Sequence, residues 1–327
     1  MSFKALYLDN APEFSARIAE LDETRLPEGD VTIRVAFSTL NYKDALALTN
    51  RSPIVRAWPM VAGIDAAGLV ETSTHPGFRP GDQVVVNGWG LGETRWGGLA
   101  QRVRVPGDWP VRIPASYSPF EAAAIGTAGY TAAMCVQALE RHGLKPDDGP
   151  LLVTGATGGV GSIAVMLLAR AGFQVTAATG KAADHDYLRG LGAAEVIDRA
   201  DLGVPGKPLQ KERYAGVVDT LGSHALVNAL AQVKRNGAVA ACGLAMGRDL
   251  PGSVAPFILR GVSLYGIDSV YAVPARRQAA WALLAGRIKP ADLAGIAHSI
   301  GLVEAVAAAE KILAGRMTGR YVVDVNR

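Results

Sequence analysis

The sequence predicts an α/β protein in which a mostly β region precedes a doubly wound parallel sheet. Three observations indicate this: short β segments between glycine and proline turns fill the first third, apolar strands later alternate with helices, and one β segment ends the chain. With 327 residues, 49% of them hydrophobic and 19% charged, the chain can form two domains with packed cores.

The first third of the chain predicts a compact, mostly β domain. Turn sequences such as Pro80-Gly81-Asp82 and Pro106-Gly107-Asp108 separate its apolar segments. The predicted strands are 3–8, 31–38, 67–71, 83–86 and 100–105. We place this domain at residues 1–120 and 274–327.

The pattern changes near Ser118, which with Pro119 is typical of a helix N-terminus. Strands then alternate with helices, as expected of a parallel sheet that is covered on both faces. The predicted strands are 151–154, 174–178, 195–197, 216–219 and 238–242. We place this second domain at 121–273. The last strand, 320–325, has no partner there, so we expect it to return to the first domain.

Charge and composition exclude several classes of function. The 33 basic and 30 acidic residues give a net charge of +3, too balanced for a nucleic-acid-binding protein. The N-terminus lacks the apolar core of a signal peptide, and no apolar stretch approaches the roughly 20 residues of a membrane span. Cys135 and Cys242 are the two cysteines, which does not suggest a disulfide framework. We therefore expect a cytoplasmic protein.

The segment 151–161, LLVTGATGGVG, is the strongest motif. Gly158 and Gly161 match the second and third glycines of a dinucleotide-binding fingerprint, and Ala156 stands where the first usually lies. Small residues let a pyrophosphate approach backbone N–H groups at a helix N-terminus. A purely structural turn is the alternative, but the strand before it and the helix after it favour dinucleotide binding. The candidate contacts are Thr157, Gly158, Gly159 and Val160.

The end of the next strand indicates which dinucleotide binds. It reads Thr179-Gly180-Lys181 and lacks the Asp or Glu that holds the ribose hydroxyl in NAD enzymes. A hydroxyl, a glycine and a lysine suit a 2′-phosphate, and Arg199 adds a second cation. Solvated surface charges are the alternative explanation. The missing acid favours NADPH.

Four segments resemble the medium-chain dehydrogenase/reductases: 41–44 (NYKD), 63–70 (GIDAAGLV), 126–132 (GTAGYTA) and 154–161 (TGATGGVG). Longer segments are similar to the acrylyl-CoA reductase subgroup of the quinone-oxidoreductase-like branch. They are 88–93 (GWGLGE), 96–98 (WGG), 239–245 (VAACGLA) and 256–262 (PFILRGV). The resemblance covers essentially the whole chain.

This resemblance implies a GroES-like, mostly β catalytic domain, a Rossmann cofactor domain, an active site in the cleft between them, and a homodimer. Zinc-dependent members carry Gly-His-Glu where this chain has Gly63-Ile64-Asp65, and a four-cysteine lobe that is missing here. None of the five histidines has a cysteine at ligand spacing. We therefore expect a zinc-independent enzyme that reduces an activated C=C bond.

The subgroup implies reduction of acrylyl-CoA, an acyl-CoA thioester, to propanoyl-CoA, with hydride transfer to the β-carbon and protonation of the α-carbon. Asn41 and Tyr42 are the candidate catalytic residues. Asn41 is expected to orient the nicotinamide carboxamide or the substrate carbonyl. Tyr42 is expected to contact the cofactor or substrate and is a candidate proton donor. Spacing alone favours a turn asparagine and a packed tyrosine, and the resemblance reverses this preference in favour of the catalytic roles.

Further candidate residues depend more heavily on the resemblance. Gly243 and Leu244 end a parallel strand, where open sheets bind ligands. Asp65 has two alternative roles, catalysis or a structural ion pair. Arg260 and Arg276-Arg277 also have two, contacts to the phosphates of CoA or solvated faces. The remaining expected cofactor contacts are Thr127, Asp268, Ser269 and Arg320, with Tyr130 also a candidate beside the nicotinamide.

Two other functions are compatible with the same sequence. An NADPH-dependent quinone, alkenal or enone reductase shares the hydride chemistry and differs only in its substrate pocket. A non-catalytic NADPH-binding protein keeps the glycine-rich turn and Lys181 without turnover. Retention of the whole loop from Asn41 to Asp44 favours an enzyme.

Overall fold

The computed structural model describes residues 1–327 and divides into two compact units. We name the first the β unit (Met1–Thr127, Val270–Ala285 and Lys289–Arg327) and the second the α/β unit (Ala128–Ser269 and Gly286–Ile288). The strands are β1 Ser2–Asp9, β2 Ser15–Asp22, β3 Val31–Leu40, β4 Met60–Val61, β5 Asp65–Ser73, β6 Gln83–Asn87, β7 Arg102–Val105, β8 Val111–Arg112, β9 Leu151–Thr154, β10 Val175–Thr179, β11 Glu195–Asp198, β12 Tyr214–Asp219, β13 Val233–Ala241, β14 Ser263–Gly266, β15 Ala297–Gly301 and β16 Arg320–Asp324. The helices are α1 Tyr42–Leu48, α2 Pro119–His142, α3 Gly159–Arg170, α4 His185–Gly190, α5 Ser223–Gln232, α6 Ala255–Arg260, α7 Pro274–Arg287, α8 Pro290–Ala294 and α9 Ala305–Leu313.

The β unit contains a seven-stranded sheet and a three-stranded sheet. The larger sheet has the order β15-β16-β3-β5-β6-β8, with β7 paired to β3, and the smaller has the order β2-β1-β4. The last strand returns to the first domain as expected: β16 runs antiparallel to β3, with Tyr321 opposite Leu40. This pairing brings the end of the chain beside the start of α1, which follows β3 directly.

Five early strands were predicted and found, and three were missed. The missed strand β2 is an edge strand in which Leu21 is the only buried residue, so it lacks an alternating apolar pattern. The other two, β4 and β8, are two residues long each. A pattern-based prediction cannot detect pairing this short or this exposed.

The α/β unit is built on a six-stranded parallel sheet in the order β11-β10-β9-β12-β13-β14. Strands β9, β10 and β12 are buried along their whole lengths, because helices cover both faces. Five of the six strands were predicted, and β14 is the one that was missed. The strand order reverses between β9 and β12, which is where open α/β sheets form a ligand crevice at their carboxyl ends.

Helix α2 corrects one expectation. Pro119–His142 is long and apolar enough to cross a membrane by length and composition, whereas the sequence suggested no such stretch. Within the fold, 89% of its most apolar window is buried, as expected of a core helix. The helix is kinked at Gly126, which has a left-handed φ of 48°.

Candidate active site

The glycine-rich turn joins β9 to α3 with two glycines that tolerate no side chain. Gly155 has a φ of 59°, and a Cβ added there would lie 2.3 Å from Thr220 Oγ1. A Cβ on Gly161 would lie 2.3 Å from the Gly155 carbonyl oxygen. Gly155 therefore makes the turn and Gly161 permits close packing of helix against turn. Ala156, at the expected first-glycine position, is buried and donates its N–H to the Ala178 carbonyl at 3.1 Å.

The N-terminus of α3 is arranged to accept an anion. Its N-cap, Gly158, is exposed and supplies no side-chain acceptor to the first-turn N–H groups. A Cβ on Gly158 would meet only the Gly155 carbonyl oxygen, at 3.3 Å, so the approach to this backbone is open. Open N–H groups and the helix dipole together fit the pyrophosphate of a dinucleotide.

The carboxyl ends of β10 and β11 bring the predicted phosphate-binding residues together. Lys181 donates its backbone N–H to Thr179 Oγ1 at 3.1 Å, and Thr157 Oγ1 lies 3.4 Å from the same hydroxyl. A Cβ built on Gly180 would lie 2.7 Å from Arg199 Nε. Burial lowers the pKa of Lys181, and the nearby Arg199 charge adds to this effect while Asp184 opposes it. Two neighbouring cations beside two hydroxyls fit a 2′-phosphate.

The ends of β12 and β13 lie at the same edge of the sheet. A Cβ on Gly243 would lie 2.0 Å from the Thr220 carbonyl oxygen, so only glycine fits between the strand ends. Leu244 is 67% exposed beside it. Asp268 and Ser269 follow β14, and Thr131 Oγ1 donates to Ser269 Oγ at 2.8 Å. The α/β unit thus gathers its predicted cofactor contacts at one sheet edge.

Asp219 is a residue of this edge that the sequence reasoning missed. Its buried carboxylate accepts hydrogen bonds from Thr154 Oγ1 at 2.7 Å and from the Gly222 N–H at 2.8 Å. Burial raises the pKa of Asp219, and these bonds oppose the shift. The bond to Thr154 joins the ends of β9 and β12 at the strand-order reversal. Its position as the last residue of an apolar strand is the signal that marks it.

In the β unit, Asn41 and Tyr42 lie at the start of α1. Tyr42 is 44% exposed, whereas the Asn41 side chain is held on both sides by protein groups. Asn41 Nδ2 donates to Asp65 Oδ2 at 2.8 Å and to Asp44 Oδ2 at 3.0 Å, and Asn41 Oδ1 accepts from Arg320 Nη1 at 2.9 Å. The geometry therefore gives Asn41 a fixed orientation and leaves Tyr42 accessible.

Asp65 collects donors from several segments of the β unit. Its carboxylate accepts from Asn87 Nδ2 at 2.7 Å, and from the Thr127 N–H at 3.0 Å and Thr127 Oγ1 at 2.6 Å. It also accepts from Thr39 Oγ1 at 2.5 Å, and Arg320 Nη2 lies 4.0 Å away. The side chain is 1% exposed. Asp65 is thus a buried hydrogen-bond hub with an ion-pair partner, and it brings Thr127 and Arg320 to Asn41.

Asp44 and Arg320 complete this cluster. Asp44 accepts from the Asn41 N–H at 2.8 Å and the Ile64 N–H at 2.9 Å. Burial, followed by the negative charge of Asp65, raises the pKa of Asp44 to about 7. Arg320 donates from Nε to the Ala124 carbonyl at 3.1 Å. Burial lowers the pKa of Arg320, and the negative charges of Asp65 and Asp44 oppose this shift. Sequence reasoning missed the role of Asp44, although its spacing of three residues from Asn41 is that of a capping box.

Three other candidate residues are buried or bonded to backbone carbonyls of the protein. Arg277 is 1% exposed and donates to the carbonyls of Ala272, Asn87 and Val270, with its guanidinium 4.1 Å from the Trp89 ring centroid. Arg260 donates to the carbonyls of Ala231 and Gln210. These bonds correct the solvated-face alternative for Arg277 and Arg260, whereas Arg276 is exposed. Tyr130 is completely buried.

No group of three or more His, Cys, Asp or Glu side chains is arranged to hold a metal ion. Both cysteines are free thiols: Cys135 is buried and Cys242 is partly buried.

Two known protein families match parts of this chain. Residues 27–115 match the alcohol dehydrogenase GroES-like domain, and residues 159–286 match the zinc-binding dehydrogenase family. The chain is 49% identical to the probable acrylyl-CoA reductase AcuI of Escherichia coli, over 95% of this chain and 96% of that protein. It is 44% identical to the acrylyl-CoA reductase AcuI of Ruegeria pomeroyi, over 99% of both chains. It is 45% identical to the putative quinone oxidoreductase YhfP of Bacillus subtilis, over 98% of both.

Solved structures give the same result. The yhdH oxidoreductase of Salmonella enterica, in complex with NADP, matches with a TM-score of 0.96 and 48% identity, covering 98% of this chain and 99% of that one. Bacillus subtilis yhfP, with NAD bound, matches with a TM-score of 0.94 and 44% identity over 99% of both chains. The fold predicted from the sequence is confirmed.

Proposed function

We propose that this chain is an NADPH-dependent acrylyl-CoA reductase. The premise is that the chain belongs to the zinc-independent medium-chain dehydrogenase/reductases, in the branch of the acrylyl-CoA reductases and quinone oxidoreductases. The observation that carries the proposal is 44–49% identity to acrylyl-CoA reductases over 95–99% of the chain. The product is propanoyl-CoA. Bound NADPH supplies the hydride that adds to the β-carbon while the α-carbon takes a proton.

We assign cofactor binding in the α/β unit to the edge at the carboxyl ends of the sheet. The residues from Thr157 to Val160, which lead into the first turn of α3, would hold the pyrophosphate at the open N–H groups of the helix N-terminus. Thr179, Gly180, Lys181 and Arg199 would hold the 2′-phosphate, since they place two cations and a hydroxyl together. The remaining assigned contacts of this unit are Gly243, Leu244, Asp268 and Ser269.

In the β unit we assign the chemistry to the start of α1. Tyr42 is accessible, and its phenol is our candidate to touch the cofactor or substrate and to deliver the α-carbon proton. Asn41 contributes by holding this end of α1, because its amide is engaged by Asp44, Asp65 and Arg320. Thr127 and Arg320 belong to the same hydrogen-bonded group, which supports their assignment near the nicotinamide.

We further propose a cytoplasmic homodimer with a catalytic domain at 1–120 and 274–327 and a cofactor domain at 121–273. The two compact units support this division, although they divide the chain at residues 127 and 269. Strand β14 has a neighbour on one side only, and apolar side chains are exposed nearby at Val254, Ile258 and Leu259. Such an edge is suited to pairing with a second copy. Free thiols are consistent with the cytoplasm.

A second candidate is the reduction of quinones or of free enals and enones. The putative quinone oxidoreductase YhfP, 45% identical over 98% of the chain, favours it. Hydride chemistry is common to both functions, so the substrate pocket alone separates them.

The two candidates are separated by following NADPH oxidation with acrylyl-CoA, free acrylate, a quinone and an enone, and by repeating the acrylyl-CoA reaction with NADH. We expect the highest kcat/KM with acrylyl-CoA and NADPH. Faster turnover of a quinone or enone would overturn the thioester assignment and leave the cofactor assignment standing. Absence of turnover with every substrate, together with tight NADPH binding, would identify a non-catalytic NADPH-binding protein.

A further inference from the structure

Three ionisable side chains are buried together around Asn41. Asp44 and Asp65 are each 1% exposed, and Arg320 is 3% exposed. Removing ionisable groups from water is unfavourable unless they are paired and hydrogen-bonded, and this cluster holds two carboxyl groups against one guanidinium. Replacing such a buried ionic group with well-packed hydrophobic residues of equal volume is often neutral or stabilising. The cluster therefore invites an explanation beyond packing.

Asp65 connects the segments that carry the assigned functional residues. It lies at the start of β5 and accepts hydrogen bonds from Thr39 at the end of β3, Asn87 at the end of β6, and Asn41 just before α1. It also accepts two donors of Thr127, the residue that follows the kink of α2. One carboxylate thus sets the relative positions of the start of α1 and the kink of α2.

The hydrogen bonds of Asn41 fix the orientation of its side chain as well as its position. Asn41 has its amide nitrogen bonded to both carboxylates and its amide oxygen bonded to Arg320, so its side chain cannot flip without losing a charge-assisted bond. Asp44 fixes the same residue through the backbone N–H at 2.8 Å. Tyr42 is the next residue in the chain, and its Cα position follows from how Asn41 is held.

We propose that Asp65 is a positioning residue for the reduction, acting through Asn41 and Thr127 to place Tyr42. This inference rests on the proposed function and on the role given there to Tyr42. Because Asp65 is buried, it acts without touching the substrate. Small displacements of a reacting group reduce the rate steeply, by about 100-fold for an error near 1 Å, so the effect belongs in kcat.

The test is the variant Asp65→Asn in the full-length protein. It keeps the side-chain shape but replaces one acceptor oxygen with a donor that faces the donors of Asn41, Asn87 or Thr127. We expect kcat to fall by about 100-fold with the dissociation constants of NADPH unchanged. The matched control is Glu71→Gln on the same strand, which removes a carboxylate paired with Arg102 and should leave kcat unchanged.

A purely structural role predicts a different pattern. If Asp65 only stabilises the fold, Asp65→Asn lowers the melting temperature, and the folded fraction at lower temperature retains the wild-type kcat. That result would overturn the proposal. If Asp65→Asn does not fold, Thr39→Val removes one donor to Asp65 with a side chain of the same shape. A lower kcat with unchanged NADPH affinity in this milder variant supports positioning, and a wild-type kcat overturns it.

Failure of the proposed function gives a separate signature. If the wild-type protein reduces a quinone or enone but not acrylyl-CoA, the substrate assignment fails, and the same kcat comparison is made with the substrate that is reduced. A fall in kcat for that substrate still supports the role of Asp65. If the wild-type protein binds NADPH and reduces none of the substrates, no reaction is being positioned and the proposal is overturned as well.

Discussion

Asn41 and Asp65 are joined by a 2.8 Å hydrogen bond from Asn41 Nδ2 to Asp65 Oδ2, and this bond ties the start of α1 to the start of β5. Both partners lie in the β unit and are also linked to Arg320, which donates to Asn41 at 2.9 Å and lies 4.0 Å from Asp65. The candidate proton donor, Tyr42, is adjacent to this junction and 44% exposed. Rigid support beside an accessible phenol is the arrangement that a positioned proton donor requires.

Replacing Tyr42 with Phe removes the hydroxyl and keeps the ring. We expect kcat for acrylyl-CoA to fall by about 100-fold or more, the usual contribution of a positioned general acid. The melting temperature should stay unchanged because the side chain is 44% exposed. Steady-state kinetics and thermal unfolding check both parts. Tyr271→Phe is a control at another exposed tyrosine of the β unit, and a wild-type kcat in Tyr42→Phe would remove Tyr42 as the proton donor.

Replacing Lys181 with Ala should weaken NADPH binding selectively. Loss of one charge-assisted bond to a phosphate raises the NADPH dissociation constant by about 10- to 100-fold, since such bonds contribute about 1.5–3 kcal/mol. NADH lacks the 2′-phosphate, so its dissociation constant should not change. Fluorescence titration measures both, with the exposed Lys211→Ala as the control. Equal weakening of NADH and NADPH would show that Lys181 supports the fold of the turn and does not recognise the phosphate.

The two glycines at the start of α3 should respond differently to alanine. Gly161→Ala places a Cβ about 2.3 Å from the Gly155 carbonyl oxygen, so we expect a loss of stability of about 1–3 kcal/mol by overpacking. Gly158→Ala meets one backbone atom at 3.3 Å, so the fold should survive while NADPH binds more weakly, because the pyrophosphate loses its close approach. Melting curves and NADPH titrations compare the two. Unchanged NADPH binding in Gly158→Ala would contradict the assigned pyrophosphate site.

Gly126 is the position at which one methyl group should disturb the buried cluster. A Cβ there would lie 2.6 Å from Arg320 Nη2 and 2.9 Å from Asp65 Oδ2, and φ is 48°. We expect Gly126→Ala to lower kcat by about 10-fold or more as the cluster shifts. Gly143→Ala controls for backbone strain alone, since φ there is 102° and nothing lies within 4 Å. Equal kcat in both variants would argue against a role for the cluster.

Asp44 makes stability depend on pH. Its pKa rises from 3.8 to about 7 in the folded protein, chiefly through burial, so the folded state keeps a proton that the unfolded chain releases. This contribution is fully present below pH 3.8 and is lost as the pH rises through about 7. The groups facing Asp44 are Asp65 and Arg320, with N–H donors from Asn41 and Ile64.

In Asp44→Asn this proton is absent. We therefore expect the free energy of unfolding of the variant to fall less steeply than that of the wild type between about pH 4 and pH 7. Urea unfolding across this range measures the difference. Asp82→Asn is the control, because it removes a partly buried carboxylate whose pKa is lowered chiefly by its hydrogen bond with Arg112. Parallel pH curves for Asp44→Asn and the wild type would contradict the assigned titration.

Elements with a strong repeated pattern could be predicted from the sequence. Strands β9, β10 and β12 are buried along their whole lengths and read as apolar runs, so they were recognised. The glycine-rich turn was recognised as well, although the structure gives the left-handed turn to Gly155 and not to the position of Ala156. A fingerprint defines spacing, whereas the backbone angles depend on how the turn packs against Thr220.

The buried cluster could not be predicted, because its members are far apart in the chain. Arg320 reaches Asn41 only through the pairing of β16 with β3, which places Tyr321 opposite Leu40. The pair Arg276-Arg277 shows the same limit: adjacent arginines suggest a solvated face, yet a helix turns one outward and buries the other. Long-range register decides such cases, and local patterns do not contain it.

The central claim is tested most directly by reducing acrylyl-CoA with NADPH that carries deuterium at the transferred position, and locating the label in the product by mass spectrometry and NMR. We expect propanoyl-CoA with one deuterium on the β-carbon and a solvent proton on the α-carbon. Deuterium on the α-carbon, or oxidation of NADPH without formation of propanoyl-CoA, would contradict it.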